Sequence, residues 1–156
     1  MEMWEQKVFE IFLTNIPQAF IFLFLYFSLT GIKIEKKSLS IFSIFYAILT
    51  FLIRPYVNFG VHSIVMLFVM VIIATKWGKI SVFKSIVYGV ICFLINYLCE
   101  WSTFIILGIF NFNMELLSTN AQIRAIIGFI PLTIFFVISL IVYYSKIRLK
   151  KQVLDV

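Results

Sequence analysis

"SLSIFSIFYAILTFLIRPYVNFGVHSIVMLFVMVIIAT", residues 38–75, holds two apolar runs around the polar break "RPYVN". The runs Ser38–Ile53 and Val61–Thr75 contain 16 and 15 residues. As helices they reach only about 24 and 22 Å, against ~30 Å of hydrocarbon in a bilayer. Either both cross the membrane with their turn sunk below its surface, or they form a re-entrant hairpin that leaves on the side it entered.

The rest of the chain makes a membrane the only reasonable solvent. Of 156 residues 63% are hydrophobic and 13% charged, and the mean hydropathy is +1.09. Soluble domains carry roughly 45–50% apolar and about 25% charged residues. With 19 phenylalanines, too little polar surface remains to coat a water-soluble particle. Residues 1–156 therefore read as one all-α integral membrane domain. The net charge of +6 does not point to nucleic acid, because the basic residues cluster in short stretches between apolar runs. Cys92 and Cys99 lie inside an apolar run and offer neither a disulfide framework nor a zinc spacing. "MEMWEQK" lacks a basic leader region, so the first apolar run reads as a retained helix.

Five helices are expected, over approximately 8–32, 38–53, 61–75, 81–110 and 120–145. Pro17 falls in the first. The T-x-x-Q spacing of Thr119 and Gln122 marks the start of the last, and Pro131 offers it a bend. Lys33, Lys36, Lys37, Lys76, Lys79, Lys84, Lys146, Arg148, Lys150 and Lys151 make ten of the 13 Lys and Arg. All ten fall on one side if five spans run with the N-terminus outside and the C-terminus in the cytoplasm. The alternative, three spans plus a re-entrant hairpin at 38–75, satisfies the same rule.

Polar residues inside the fourth helix are the strongest functional signal. Ser85, Gly89, Cys92, Asn96, Cys99, Glu100 and Thr103 recur at three- and four-residue steps and share one face, opposite Ile, Val, Leu and Phe. That face must look inward at protein. Glu100 lies 16 residues past Lys84, roughly 24 Å along the helix, in the outer third of the membrane. Glu10, Thr14 and Gln18 form a similar stripe on the first helix. Arg54 closes the second helix at the same level, and His62 opens the third. A charge in hydrocarbon costs about 2.5–3.5 kcal/mol on insertion scales, which pairing Arg54 with Glu100 or Glu10 relieves. These residues outline an outward-facing, water-accessible depression: Glu10, Gln18, Arg54, Asn58, His62, Asn96 and Glu100.

Plainer roles stand beside that reading. Glu100 and Arg54 can form a structural ion pair, Arg54 can snorkel to the interface, and His62 can be an interfacial loop residue. Cys92 and Cys99 fit as small packing residues, and the small residues of the fourth helix suit close packing, a homodimer included. Trp4, Trp77 and Trp101 fit as interface anchors. No catalytic motif is present and one histidine gives no metal pair, so no enzyme, cofactor or metal is expected.

The succession "GIKIEKKSLSIFSIFYAILTFLIRPYVNFGVHSIVMLFVM", "KISVFKSIVYGVICFLINYLCEW" and "IRAIIGFIPLTIFF" resembles the membrane input region of Agr-type quorum-sensing histidine kinases of Gram-positive bacteria. The resemblance covers residues ~30–145 and rests on Arg54, Phe59, Gly60, His62, Lys84, Ser85 and Glu100. It implies a multi-pass protein of the cell membrane that receives a small extracellular signal, often a peptide, and relays it through the last helix. Such kinases continue into a cytoplasmic kinase module, whereas this sequence stops at Val156; a stand-alone relative or a sensor module is expected.

The leading expectation is thus a signal-receiving or adaptor module, with the lipid bilayer, a small ligand or peptide, and a second copy or a membrane or cytoplasmic protein as partners. A small-solute transporter or its substrate-capture subunit is the alternative, and a structural subunit of a membrane complex the third.

Overall fold

Leu23, Leu25 and Tyr26 have no exposed surface, although they point in different directions around one helix. A helix apolar on every side is stable only when neighbours surround it, and this one forms the axis of the fold. The computed structural model describes residues 15–32, 35–53, 56, 59–113, 115–116 and 121–154. It is all-helical, with five main helices: α1 (Ile16–Thr30), α2 (Lys36–Ile53), α3 (Phe59–Lys76), α4 (Val82–Ile109) and α5 (Ala121–Leu154). The central α1 packs against α2, α4 and α5, while α3 leans on α4. Although α2 and α3 are consecutive, they touch each other only lightly.

Three helical stretches are long and apolar enough to cross a membrane: Lys36–Ile53, Val82–Ile109 and Ile126–Ile147. Ile16–Thr30 and Ser63–Lys76 are apolar but shorter. The outward faces agree with a membrane protein. Ile41, Phe45, Ile48 and Leu52 on α2 are exposed, as are Ile64, Phe68 and Ile72 on α3, each row at helical spacing. Large exposed apolar rows of this kind are rare on soluble monomers and ordinary where lipid is the neighbour.

Helix ends differ from the sequence expectation for identifiable reasons. α2 begins at Lys36, which brings it to 18 residues, about 27 Å long. Lysine is a good helix former and tolerates the interface, so the apolar run alone understates the helix. α5 continues past residue 145 to Leu154, because no glycine or proline stops it. It also runs through Pro131. Pro17 sits in the first turn of α1, where its missing N–H costs nothing. Residues 8–14 and Thr119 lie outside the described residues.

At the other end of α1, Gly31 adopts φ 73 and returns its N–H to the Ser28 carbonyl at 3.3 Å. A Cβ there meets nothing within 4 Å, so only backbone strain opposes a side chain. Gly31→Ala is expected to lower stability by about 1 kcal/mol, measured by denaturation in mixed micelles, with the fold otherwise unchanged.

Buried hydroxyls are satisfied within their own helices: Ser43 donates to the Leu39 carbonyl at 2.7 Å, and Ser139 to the Phe135 carbonyl at 2.7 Å. Thr50 of α2 donates to Met66 Sδ of α3 at 3.7 Å, and further bonds between helices reach α4. Tyr26 of α1 shares a hydrogen bond with the Ser85 hydroxyl, both fully buried. Gly89 gives α3 room to approach, since a Cβ there would lie 2.4 Å from the Leu67 Cδ1.

Candidate functional site

The polar face of α4 is turned inward: Ser85, Gly89, Cys92, Cys99 and Thr103 are buried, and Asn96 and Glu100 are half-buried. Where it faces α1, the bundle forms a partly open cavity of about 470 Å³. The lining comes from the start of α1, the end of α2, the start of α3, the second half of α4 and the first half of α5. Successive helices therefore alternate in direction, and the cavity lies towards the end of the bundle away from Lys36, Lys76 and Lys84.

Its floor is aromatic. The Phe22 ring sits 4.8 Å from Phe93, 5.8 Å from Tyr46 and 6.2 Å from Phe135, centroid to centroid. These distances fall within the range of favourable edge and offset ring contacts. Each ring belongs to a different helix, and about one turn further along each helix stands a smaller or polar residue. Gln18 follows Phe22 in this sense, Thr50 follows Tyr46, Asn96 follows Phe93 and Pro131 follows Phe135; all four line the cavity. The result is a polar rim above an apolar floor.

The rim is ordered by a directional row of side chains. The Gln18 amide N–H donates to Asn96 Oδ1 at 3.3 Å, and the Asn96 amide N–H donates to Glu100 Oε1 at 2.8 Å. Asn96 and Glu100 are four apart on α4, so they stand one above the other. Gln18 reaches them from α1 because that helix runs through the centre. Leaving such an amide buried and unbonded costs about 1–3 kcal/mol, and the row avoids that cost at both polar atoms of Asn96. Across the rim, the Ser63 and Tyr97 hydroxyls lie 3.3 Å apart and join α3 to α4. Pro131 has no N–H to offer the Ile127 carbonyl four residues before it, and both residues border the cavity.

Comparison with protein families, with characterised proteins and with solved structures returns no match for this chain. The site is therefore read from its own geometry.

Of the residues expected to form the depression, Gln18, Asn96 and Glu100 come together. Glu10, Arg54 and Asn58 lie outside the described residues. His62 falls in the first turn of α3, and its side chain is likewise outside them. Trp101 is largely exposed on the opposite face of α4 and does not wall the cavity. Sequence reasoning missed Thr50, Ser63, Tyr97 and the whole aromatic floor. One signal was available: Gly128 and Pro131, three apart in a helix of bulky residues, clear space on one face, and both border the cavity.

Proposed function

We propose that the chain is a signal-receiving or adaptor module of the cell membrane, with five spans and the N-terminus outside. It binds a small extracellular ligand in the cavity between Gln18, Glu100 and Pro131 and passes occupancy on through α5. The observation that carries this reading is a polar rim over an aromatic floor, bordered by the proline of the longest described helix. Pockets of about 300–1,000 Å³ with apolar walls and a few convergent polar groups are the usual form of small-molecule sites. That α2 and α3 pack on different neighbours favours two spans over a re-entrant hairpin, whose arms would pair with each other. The ten-to-three split of Lys and Arg supports the outside as the cavity's side. The resemblance to the input region of Agr-type sensor kinases of Gram-positive bacteria supports the same role.

The test is access. Ser63→Cys in intact cells should react with a membrane-impermeant thiol reagent, whereas the parent protein, whose Cys92 and Cys99 are buried, should not. Lack of reaction from outside would overturn the reading. A transporter needs the same cavity but also a second exit. In liposomes a transporter moves the bound solute, and a receiver binds it without flux.

A further inference from the structure

We propose that the end of the bundle away from the cavity holds the headgroup of an anionic phospholipid, bound by Lys36, Lys37, Lys76 and Lys79. This goes beyond the ligand reading above and does not depend on the cavity.

Charge comes first. Residues 31–38 and 76–84 hold six lysines and one acid, Glu35. The net charge of the chain is +6, so pairing within the chain leaves cations over. Packing then gathers them. The Ile32 Cδ1 lies 3.0 Å from where a Cβ on Gly78 would stand, and the Phe42 and Trp77 rings meet with centroids 5.4 Å apart. The connection before α2 is thereby seated against the turn after α3. Lys36, Lys37, Lys76 and Lys79 all emerge exposed beside these contacts. Like charges gathered on one surface repel each other, and a phosphate among them replaces that repulsion with attraction.

One backbone detail singles out Lys79. It adopts φ 51, in the left-handed region where a side chain is strained and glycine is not. The Ile80 N–H beyond it returns to the Ala74 carbonyl at 3.4 Å and closes the end of α3. A lysine here puts a charge on the turn where glycine would give the more stable backbone. The surroundings of the charge select a lipid over a soluble anion. Trp77 is 64% exposed, as an interface anchor is. Val82 and Phe83 at the start of α4 and Ile41 and Phe45 on α2 are exposed as well, so apolar surface begins directly beyond the lysines. An acyl chain covers such surface while its headgroup phosphate meets the ammonium groups. On the proposed sidedness this end faces the cytoplasmic leaflet, where anionic lipids make the surface negative.

The experiment follows the thermal midpoint of the full chain in mixed micelles of detergent and phosphatidylcholine. Dioleoyl phosphatidylglycerol, further dioleoyl phosphatidylcholine, glycerol phosphate and a soluble glutamate peptide are added in separate series. The phosphatidylglycerol should raise the midpoint saturably by about 5 °C, and the other three should leave it in place at the same concentration. Two double variants, Lys36→Gln with Lys37→Gln and Lys76→Gln with Lys79→Gln, should each cut that rise by about half or more. Lys146→Gln, on the helix packed against α1 and α4, should keep it. Lys79→Gly should start from a higher midpoint and show a smaller rise. No rise, or an equal rise with phosphatidylcholine, overturns the anionic site. An equal rise with glycerol phosphate or the peptide overturns the lipid assignment. A rise that survives both double variants, or that Lys146→Gln removes as fully, shows diffuse charge and overturns the site as well. The cavity reading is decided separately, by thiol access from outside.

Discussion

Tyr26→Ala is expected to lower the unfolding free energy by about 3–5 kcal/mol, the range for deleting a large, fully packed aromatic side chain. Tyr26 has no exposed surface, lies in the second half of the axial helix and packs edge-on against Phe27 with ring centroids 5.4 Å apart. In lipid the gain from packing comes from dispersion and shape more than from escape from water, so the emptied volume is the main loss. Tyr26→Phe separates the two contributions. It keeps the ring and removes only the hydroxyl that meets Ser85. It should cost about 1 kcal/mol, since the Ser85 hydroxyl can turn to a carbonyl of its own helix. Denaturant titration in mixed micelles measures both. Equal losses in the two variants would show that the hydroxyl, not the ring, holds α1 against α4.

The second large effect belongs to the crossing of α3 and α4. A Cβ at Gly89 would stand 2.4 Å from the Leu67 Cδ1, with the Leu67 Cγ at 3.9 Å. The near atom is the tip of a mobile side chain, so Gly89→Ala should cost only about 1 kcal/mol as Leu67 rotates away. Gly89→Leu leaves nowhere to rotate to and should cost about 3 kcal/mol or more. The companion variant Leu67→Ala makes room, so the double variant should recover much of the loss, with a coupling energy of about 1–3 kcal/mol. A double variant no better than Gly89→Leu alone would place the clash elsewhere.

Much of the architecture could be read from residue patterns because a bilayer restricts the options. Long apolar runs must be helices, and the periodic polar residues of α4 had to face protein. Asn96 and Glu100 were visible for that reason, since amides and carboxylates are rare at that depth. Gln18 was visible because it closes a stripe of three polar residues spaced four apart. The aromatic floor was not. With 19 phenylalanines in the chain, Phe22 facing a cavity and Phe68 on the outer surface look alike, and only the packing of four helices separates them. Ser63 and Tyr97 were hidden for a similar reason, as both are ordinary fillers until their hydroxyls meet across two helices. Helix ends were blurred by lysines, which extend a helix into the interface without adding to its apolar run. The helix α5 shows the effect most strongly, because its basic tail reads as a loop by hydropathy and as helix by propensity.

The length of α5 has a mechanical consequence. Its 34 residues form a rod of about 51 Å, well beyond the ~30 Å of a hydrocarbon core. Pro131, the weak point of its hydrogen-bond ladder, borders the cavity and stands about 35 Å from Leu154 along the rod. A swing of about 5° at that fulcrum carries the far tip sideways by about 3 Å. Displacements of 1–2 Å at helix interfaces are already enough to switch packed assemblies. Gearing of this kind turns a sub-ångström adjustment beside the proline into a displacement several times larger at the far end of the rod.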